Sequence, residues 1–136
     1  MTCTTKRWAL LAMEHKEHTE QSVTVSWWRA QYPQFAGLLF ASGNGLHLAG
    51  TPKQRAIKWR LFEKSGGRPG VADLFLAMPR QGYHGFFVEM KAAKGAHVRK
   101  DQRDFLDEMA AQGYMTCICY GADHAISAIK EYMSRD

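Results

Sequence analysis

The chain has 136 residues, with 18 Lys and Arg against 13 Asp and Glu, a formal net charge of +5 and a pI near 9.2. This length holds one hydrophobic core and excludes two ordinary domains, and the basic balance favours an anionic partner such as nucleic acid or a membrane surface.

Cys3, Cys117 and Cys119 are an odd set without a CxxC pair, so neither a disulfide framework nor a zinc site is indicated, and a reducing cytoplasm fits best. The N-terminal run WALLAM is shorter than the apolar core of a signal peptide, about 7 to 15 residues, and far below the roughly 20 that span a bilayer. A soluble, unexported protein is expected, with no membrane partner.

Residues 1–18 read as an N-terminal arm of unassigned structure. From Thr19, read as an N-cap, Val23, Trp27 and Ala30 recur at helical spacing until Tyr32-Pro33 closes the run. Glu20 and Gln31 fall on the same stripe, so Glu20 is expected to face the core or a cleft. GLLFASGNGLHLAG predicts a short strand and then an irregular, glycine-punctuated connection. In TPKQRAIKWRLFEKSGG, Thr51 predicts an N-cap, Pro52 the first helical residue and Gln54 the capping-box partner. Ile57 and Leu61 would mark the buried side of this helix, leaving Lys53, Arg55, Lys58, Arg60 and Lys64 to make the rest basic.

Two strands follow, over residues 71–78 and 85–91, paired as a hairpin across PRQGYHG. A helix over residues 100–112 sets Gln102 on the stripe of Phe105, Leu106 and Met109, with Gly113 as its stop. YMTCICY is a short buried strand, and Asp123 would cap a last helix carrying Ala125, Ile126, Ile129 and Tyr132. The order predicts one α/β domain with a mixed central sheet flanked by helices.

Side chains alternate faces along a strand, so Glu89 and Lys91 share a face with Phe87. A hairpin partner brings Asp73 to that face. Two neighbouring carboxylates repel each other unless a divalent cation neutralises them, and hard oxygen ligands suit Mg²⁺ or Mn²⁺. The backbone carbonyl of Met90 lies between Glu89 and Lys91 and can be a further ligand. A solvated ion pair is the ordinary reading of an isolated ExK. The upstream Asp73, with Glu20 and Gln102 on otherwise apolar helix stripes, argues for a site, because buried polar groups have assigned partners.

The combination GVADLFL, GFFVEMKAAKG and DQRDFLDEMAAQGY resembles the VRR-NUC branch of the PD-(D/E)xK (restriction-endonuclease-like) nuclease superfamily, over nearly the whole chain. The resemblance implies a single nuclease domain over residues 19–136 with the restriction-endonuclease-like core. It implies Asp73 and Glu89 as metal ligands, Lys91 as the catalytic lysine and Gln102 as a positioning group. Glu20 resembles the helical acid that approaches the metal, directly or through water, and Asn44-Gly45 resembles the family's Asn-Gly loop. Two departures are Ala72, where the pattern has Pro, and Arg99, where Ser or Thr often opens the Gln-bearing helix. The implied activity is Mg²⁺- or Mn²⁺-dependent cleavage of DNA, with branched DNA such as four-way (Holliday) junctions as substrate and a homodimer as the acting form, in a bacterial or phage-infected cytoplasm. No small organic cofactor is implied. The alternatives are a non-catalytic DNA-binding or assembly module of the same fold, and a nuclease that prefers flaps or nicked duplex.

Contacts to nucleic acid are expected from Asn44, Lys53, Lys58, Lys94 and His97, since Lys and phosphate dominate sequence-independent affinity. His84 and His97 are expected in loops flanking the site. His15 and His18 lack a third soft ligand nearby and read as exposed. Cys117 and Cys119 read as small hydrophobes of a buried strand. Trp27 is assigned to the core, with Trp28 and Trp59 left as interface candidates.

Overall fold

In the computed structural model, four strands form one mixed sheet in the order β1 (Leu39–Ala41), β2 (Leu74–Leu76), β3 (Phe86–Lys91) and β4 (Met115–Tyr120). The structure describes residues 3–43 and 49–136, with side chains from residue 16 onward. β2 pairs antiparallel with both β1 and β3, whereas β3 and β4 run parallel. A parallel pair needs a long crossover, and α3 (Lys100–Ala111) supplies it.

The pleat of β3 sorts the chain into two layers. Phe86, Val88 and Met90 face a core completed by Trp28 of α1 (Cys3–Gln31) and by Ala125, Ile129 and Tyr132 of α4 (Ala122–Met133). Phe87 faces the opposite way, toward Ala72 and toward Phe105 and Leu106 of α3. Glu89 and Lys91 stand on that second side by the same alternation. The mixed sheet and the hairpin of β2 with β3 follow the sequence expectation.

Several local expectations are corrected. Helix α1 already begins at Cys3, so Thr19 lies in its interior and is no cap. The residues before Thr19 contain neither Gly nor Pro, and nothing in them stops helix propagation. The buried stripe of α1 is also turned by one residue. Thr24 and Trp28 are both fully buried, while Val23 is 49% exposed and Trp27 only half-buried. The Thr24 hydroxyl donates to the Glu20 carbonyl at 2.9 Å and the Trp28 indole to the Phe35 carbonyl at 3.0 Å, so both polar groups are satisfied inside.

Helix α2 (Pro52–Lys64) forms the expected capping box of Thr51 with Gln54. Its expected buried side does not form: Ile57 is 49% and Leu61 62% exposed, and only Trp59 and Phe62 are half-buried. The rings of those two lie 5.4 Å apart and pack on each other. Strand β2 is shorter than residues 71–78, which leaves Asp73 immediately before it. Helix α4 is capped at Gly121, not Asp123, which sits in the first turn. A side chain from elsewhere in the chain takes the cap's role: Glu20 Oε2 accepts from the Ala122 N–H at 2.6 Å. Among the described residues, no helix is long and apolar enough to cross a membrane.

Candidate active site

The backbone groups of β3 fix the site first. The Lys91 carbonyl accepts from the Gly121 N–H and the Gly85 carbonyl from the Met115 N–H, so the odd residues of β3 turn their polar backbone groups toward β4. The even ones turn toward β2. At Met90 that partner strand has ended, and the Asp73 carboxylate takes its place: Oδ2 accepts from the Met90 N–H at 2.7 Å. The Met90 carbonyl points to the same side of the strand, next to Asp73.

Asp73 is placed by the turn before β2. Gly70 has φ +82 and packs against the first turn of α3, where an added Cβ would lie 2.5 Å from the carbonyl carbon and oxygen of Asp101. A side chain at that position would push the turn away from α3. The Ser42 N–H donates to the Asp73 carbonyl at 3.0 Å and ties the turn to the end of β1.

Gln102 joins the remaining groups. Its amide nitrogen donates to Glu89 Oε1 at 2.7 Å, and its carbonyl oxygen accepts from Lys91 Nζ at 3.0 Å. Lys91 Nζ is 3.8 Å from Glu89 Oε1. Glu89, Lys91 and Gln102 are 2%, 7% and 8% exposed, so this network is held almost out of water. The Arg99 side chain has no acceptor to cap α3; Gln102 Oε1 takes its backbone N–H at 3.1 Å, and Asp101 Oδ1 takes the Gln102 N–H. Gln102 thus fixes both the start of its helix and the lysine.

Burial raises the Asp73 carboxyl above the usual carboxylate range, against the Met90 N–H and the charges of Lys91 and Arg99. Glu89 is pushed up to about 8, by burial first and then by the Asp73 charge, with Lys91 opposing. Glu89 Oε2 is buried and meets no hydrogen-bond donor among the described residues. An orphaned carboxylate oxygen beside a second carboxylate and the Met90 backbone carbonyl makes a hard, anionic oxygen set. That set fits a divalent cation of the Mg²⁺ or Mn²⁺ type.

The structure therefore brings Asp73, Glu89, Lys91 and Gln102 together. Glu20 is placed differently: its carboxylate holds the N-terminus of α4. Glu17, one turn earlier on α1, is the acid of that helix whose charge reaches Glu89 and helps to raise it. Sequence reasoning passed over Glu17, although its spacing of three from Glu20 puts both on one helix face. Asn44 lies outside the described residues. Lys53 and Lys58 are exposed on α2, with Lys58 Nζ donating to the Ala49 carbonyl at 2.8 Å. Lys94 and His97 are exposed on the 92–99 connection between β3 and α3. His84 does not flank the site: it precedes β3 at the end away from Lys91, with its ring 5.6 Å from that of Tyr114.

The VRR-NUC domain model matches residues 9–123. The chain belongs to the VRR-NUC domain family. VRR-NUC is a nuclease-type domain, a class that acts on DNA. Among solved structures, a VRR_NUC domain protein is 24% identical and covers 88% of this chain and 89% of its own, with a TM-score of 0.72. That likeness shows that the two share the VRR-NUC fold. No curated protein matches the chain significantly.

Proposed function

We propose that this VRR-NUC domain is a Mg²⁺- or Mn²⁺-dependent DNA endonuclease, selective for branched DNA such as four-way junctions and acting as a homodimer. The observation that carries the chemistry is the buried, donorless Glu89 Oε2 beside Asp73, with Lys91 fixed on Gln102 at the same strand end. Asp73, Glu89 and the Met90 carbonyl would hold the cation, which when bound supplies neutralising charge and Lewis acidity toward a phosphodiester and a water.

The chain's own groups do the rest. Gln102 restrains the Lys91 ammonium, so the lysine's positive charge is aimed before substrate arrives and costs little reorganisation as negative charge develops on the phosphate. The same ammonium can orient the attacking water. Near-complete burial of Glu89 and Lys91 lowers the local dielectric and strengthens both effects. Exposed Lys53, Lys58, Lys94 and His97 are available to DNA phosphates outside the reacting centre. Selectivity for branched DNA would rest on DNA shape and deformability, and a twofold dimer would offer two sites for two strands.

The test is cleavage of labelled four-way junction, flap, nicked duplex, plain duplex and single-stranded DNA with Mg²⁺, Mn²⁺ or EDTA, alongside Lys91→Ala. Metal-dependent cutting, strongest on the junction and lost in the variant, is expected. Binding without cutting under every metal would make the domain a non-catalytic DNA-binding module, and a preference for flaps would change the substrate alone.

A further inference from the structure

Two thiols and an imidazole converge where β4 runs into α4. Cys117 and Cys119, two residues apart, point to one side of β4, the side that packs with α1 and α4. The turn at Gly121 brings His124, in the first turn of α4, back beside them. The Cys119 thiol donates to Cys117 Sγ at 3.5 Å, and one ring nitrogen of His124 lies with both sulfurs inside 4.8 Å. Cys117 and Cys119 lie on the face of the sheet opposite Glu89 and Lys91, while His124 stands at the outer edge of β4 with its ring 6.0 Å from that of Tyr120.

We propose that Cys117, Cys119 and His124 form a second cation site, separate from the carboxylate centre, that takes Zn²⁺ through two thiolates and one imidazole. The sulfur separation supports this directly. A zinc tetrahedron with Zn–S bonds of about 2.3 Å has an S···S edge of about 3.8 Å, so the observed pair must open by only a few tenths of an ångström. A disulfide would need closure to about 2.05 Å. Thiolate and imidazole ligands favour Zn²⁺ over the hard cations suited to Asp73 and Glu89. Cys119 is fully buried, Cys117 half-buried and His124 exposed, so the cluster runs from the core to the surface and leaves the fourth position to solvent. Each thiol releases its proton on binding. His124 Nδ1 accepts from the Tyr120 N–H at 3.0 Å, and the neutral ring has a single lone pair, so ligation exchanges that bond for the metal. Occupancy would tie β4 to α4 beside Gly121, whose N–H donates to the Lys91 carbonyl at 2.9 Å.

The experiment uses the 136-residue chain carrying Cys3→Ser, which removes its third thiol. Zn²⁺ affinity is measured by calorimetry, and Cd²⁺ is added to report the thiolate-to-metal charge-transfer band. One Zn²⁺ per chain and a clear Cd²⁺ band are expected, with Cys117→Ser and His124→Ala each weakening Zn²⁺ by more than about tenfold, the size of loss that even an outer-shell change causes. The Asp73→Asn, Glu89→Gln double variant should keep both signals. A missing band, Zn²⁺ affinity that depends on the carboxylates, or His124→Ala binding as tightly as its parent would overturn the site. If Cys117→Ser loses the native circular dichroism spectrum, His124→Ala decides the matter, because His124 is exposed.

Discussion

Gln102 Nε2 donates to Glu89 Oε1 at 2.7 Å, across the gap between α3 and the central strand. One amide thereby orients the carboxylate with its nitrogen and the Lys91 ammonium with its oxygen. Gln102→Leu keeps the volume and removes both bonds. It should lower single-turnover cleavage by about 10 to 100-fold and cost about 1–3 kcal/mol in urea unfolding, since Glu89 and Lys91 are left short of partners. An unchanged rate would show that the lysine needs no such restraint.

Lys91→Ala should reduce cleavage by about 10² to 10³-fold, the usual cost of losing one preorganised charge at a reacting centre. Junction affinity should change little, because the lysine is 7% exposed and phosphate contacts are made by surface cations. Cleavage rates and gel-shift titrations in Ca²⁺ separate the two effects.

Asp73→Asn and Glu89→Gln should each weaken Mn²⁺ binding by calorimetry while leaving the metal-free protein folded. Glu89→Gln should also raise the metal-free melting temperature at pH 8, because it removes a carboxylate whose charged form is penalised by burial and by Asp73. A variant that binds Mn²⁺ as wild type does would show that its carboxyl is no ligand.

Glu89 also sets a pH dependence. Its folded value of about 8 lies above the ordinary 4.5, so between these limits the folded protein holds a proton that the unfolded chain has lost. Metal-free stability should therefore fall as pH rises from about 5 to about 8. Mg²⁺ or Mn²⁺ should stabilise the protein more at pH 8 than at pH 6. Melting curves with EDTA and with metal test this, and a metal-free midpoint that climbs through the window would contradict the buried carboxyl pair.

Glu20→Ala should destabilise the fold by about 1 kcal/mol, the typical worth of a helix cap. For a chain of this size that is roughly 3–4 °C in melting temperature. A larger loss of Mn²⁺ affinity than of stability would give Glu20 a role at the metal beyond holding α4.

The site was readable where a period of two or a helical stripe decides direction. Alternation along residues 86–91 put Glu89 and Lys91 on one side, the hairpin added Asp73, and the stripe of Phe105 and Leu106 carried Gln102 inward. It was unreadable where a tertiary partner changes what a residue can tolerate. Thr24 is buried because its hydroxyl is satisfied within its own helix, which an apolar count over Val23 misses. Glu20 faces inward as the stripe implies, yet its partner is an N–H 102 positions later in the chain. Ile57 and Leu61 carry the right spacing for burial, but α2 has no buried residue at all. Periodicity fixes which way side chains point along an element and says nothing of whether another element arrives to cover them.

The contact of Gly70 with the first turn of α3 joins the two halves of the site mechanically. The turn carrying Asp73 and the helix carrying Gln102 are seated against each other, backbone on backbone, with no side chain between them to yield. Asp73 is held to β3 through the Met90 N–H, and Gln102 is held to Glu89 on the same strand, so the seat at Gly70 closes a loop of contacts through turn, strand and helix. Each of the three pieces is thereby located by the other two, and the acid, the amide and Glu89 keep one spacing.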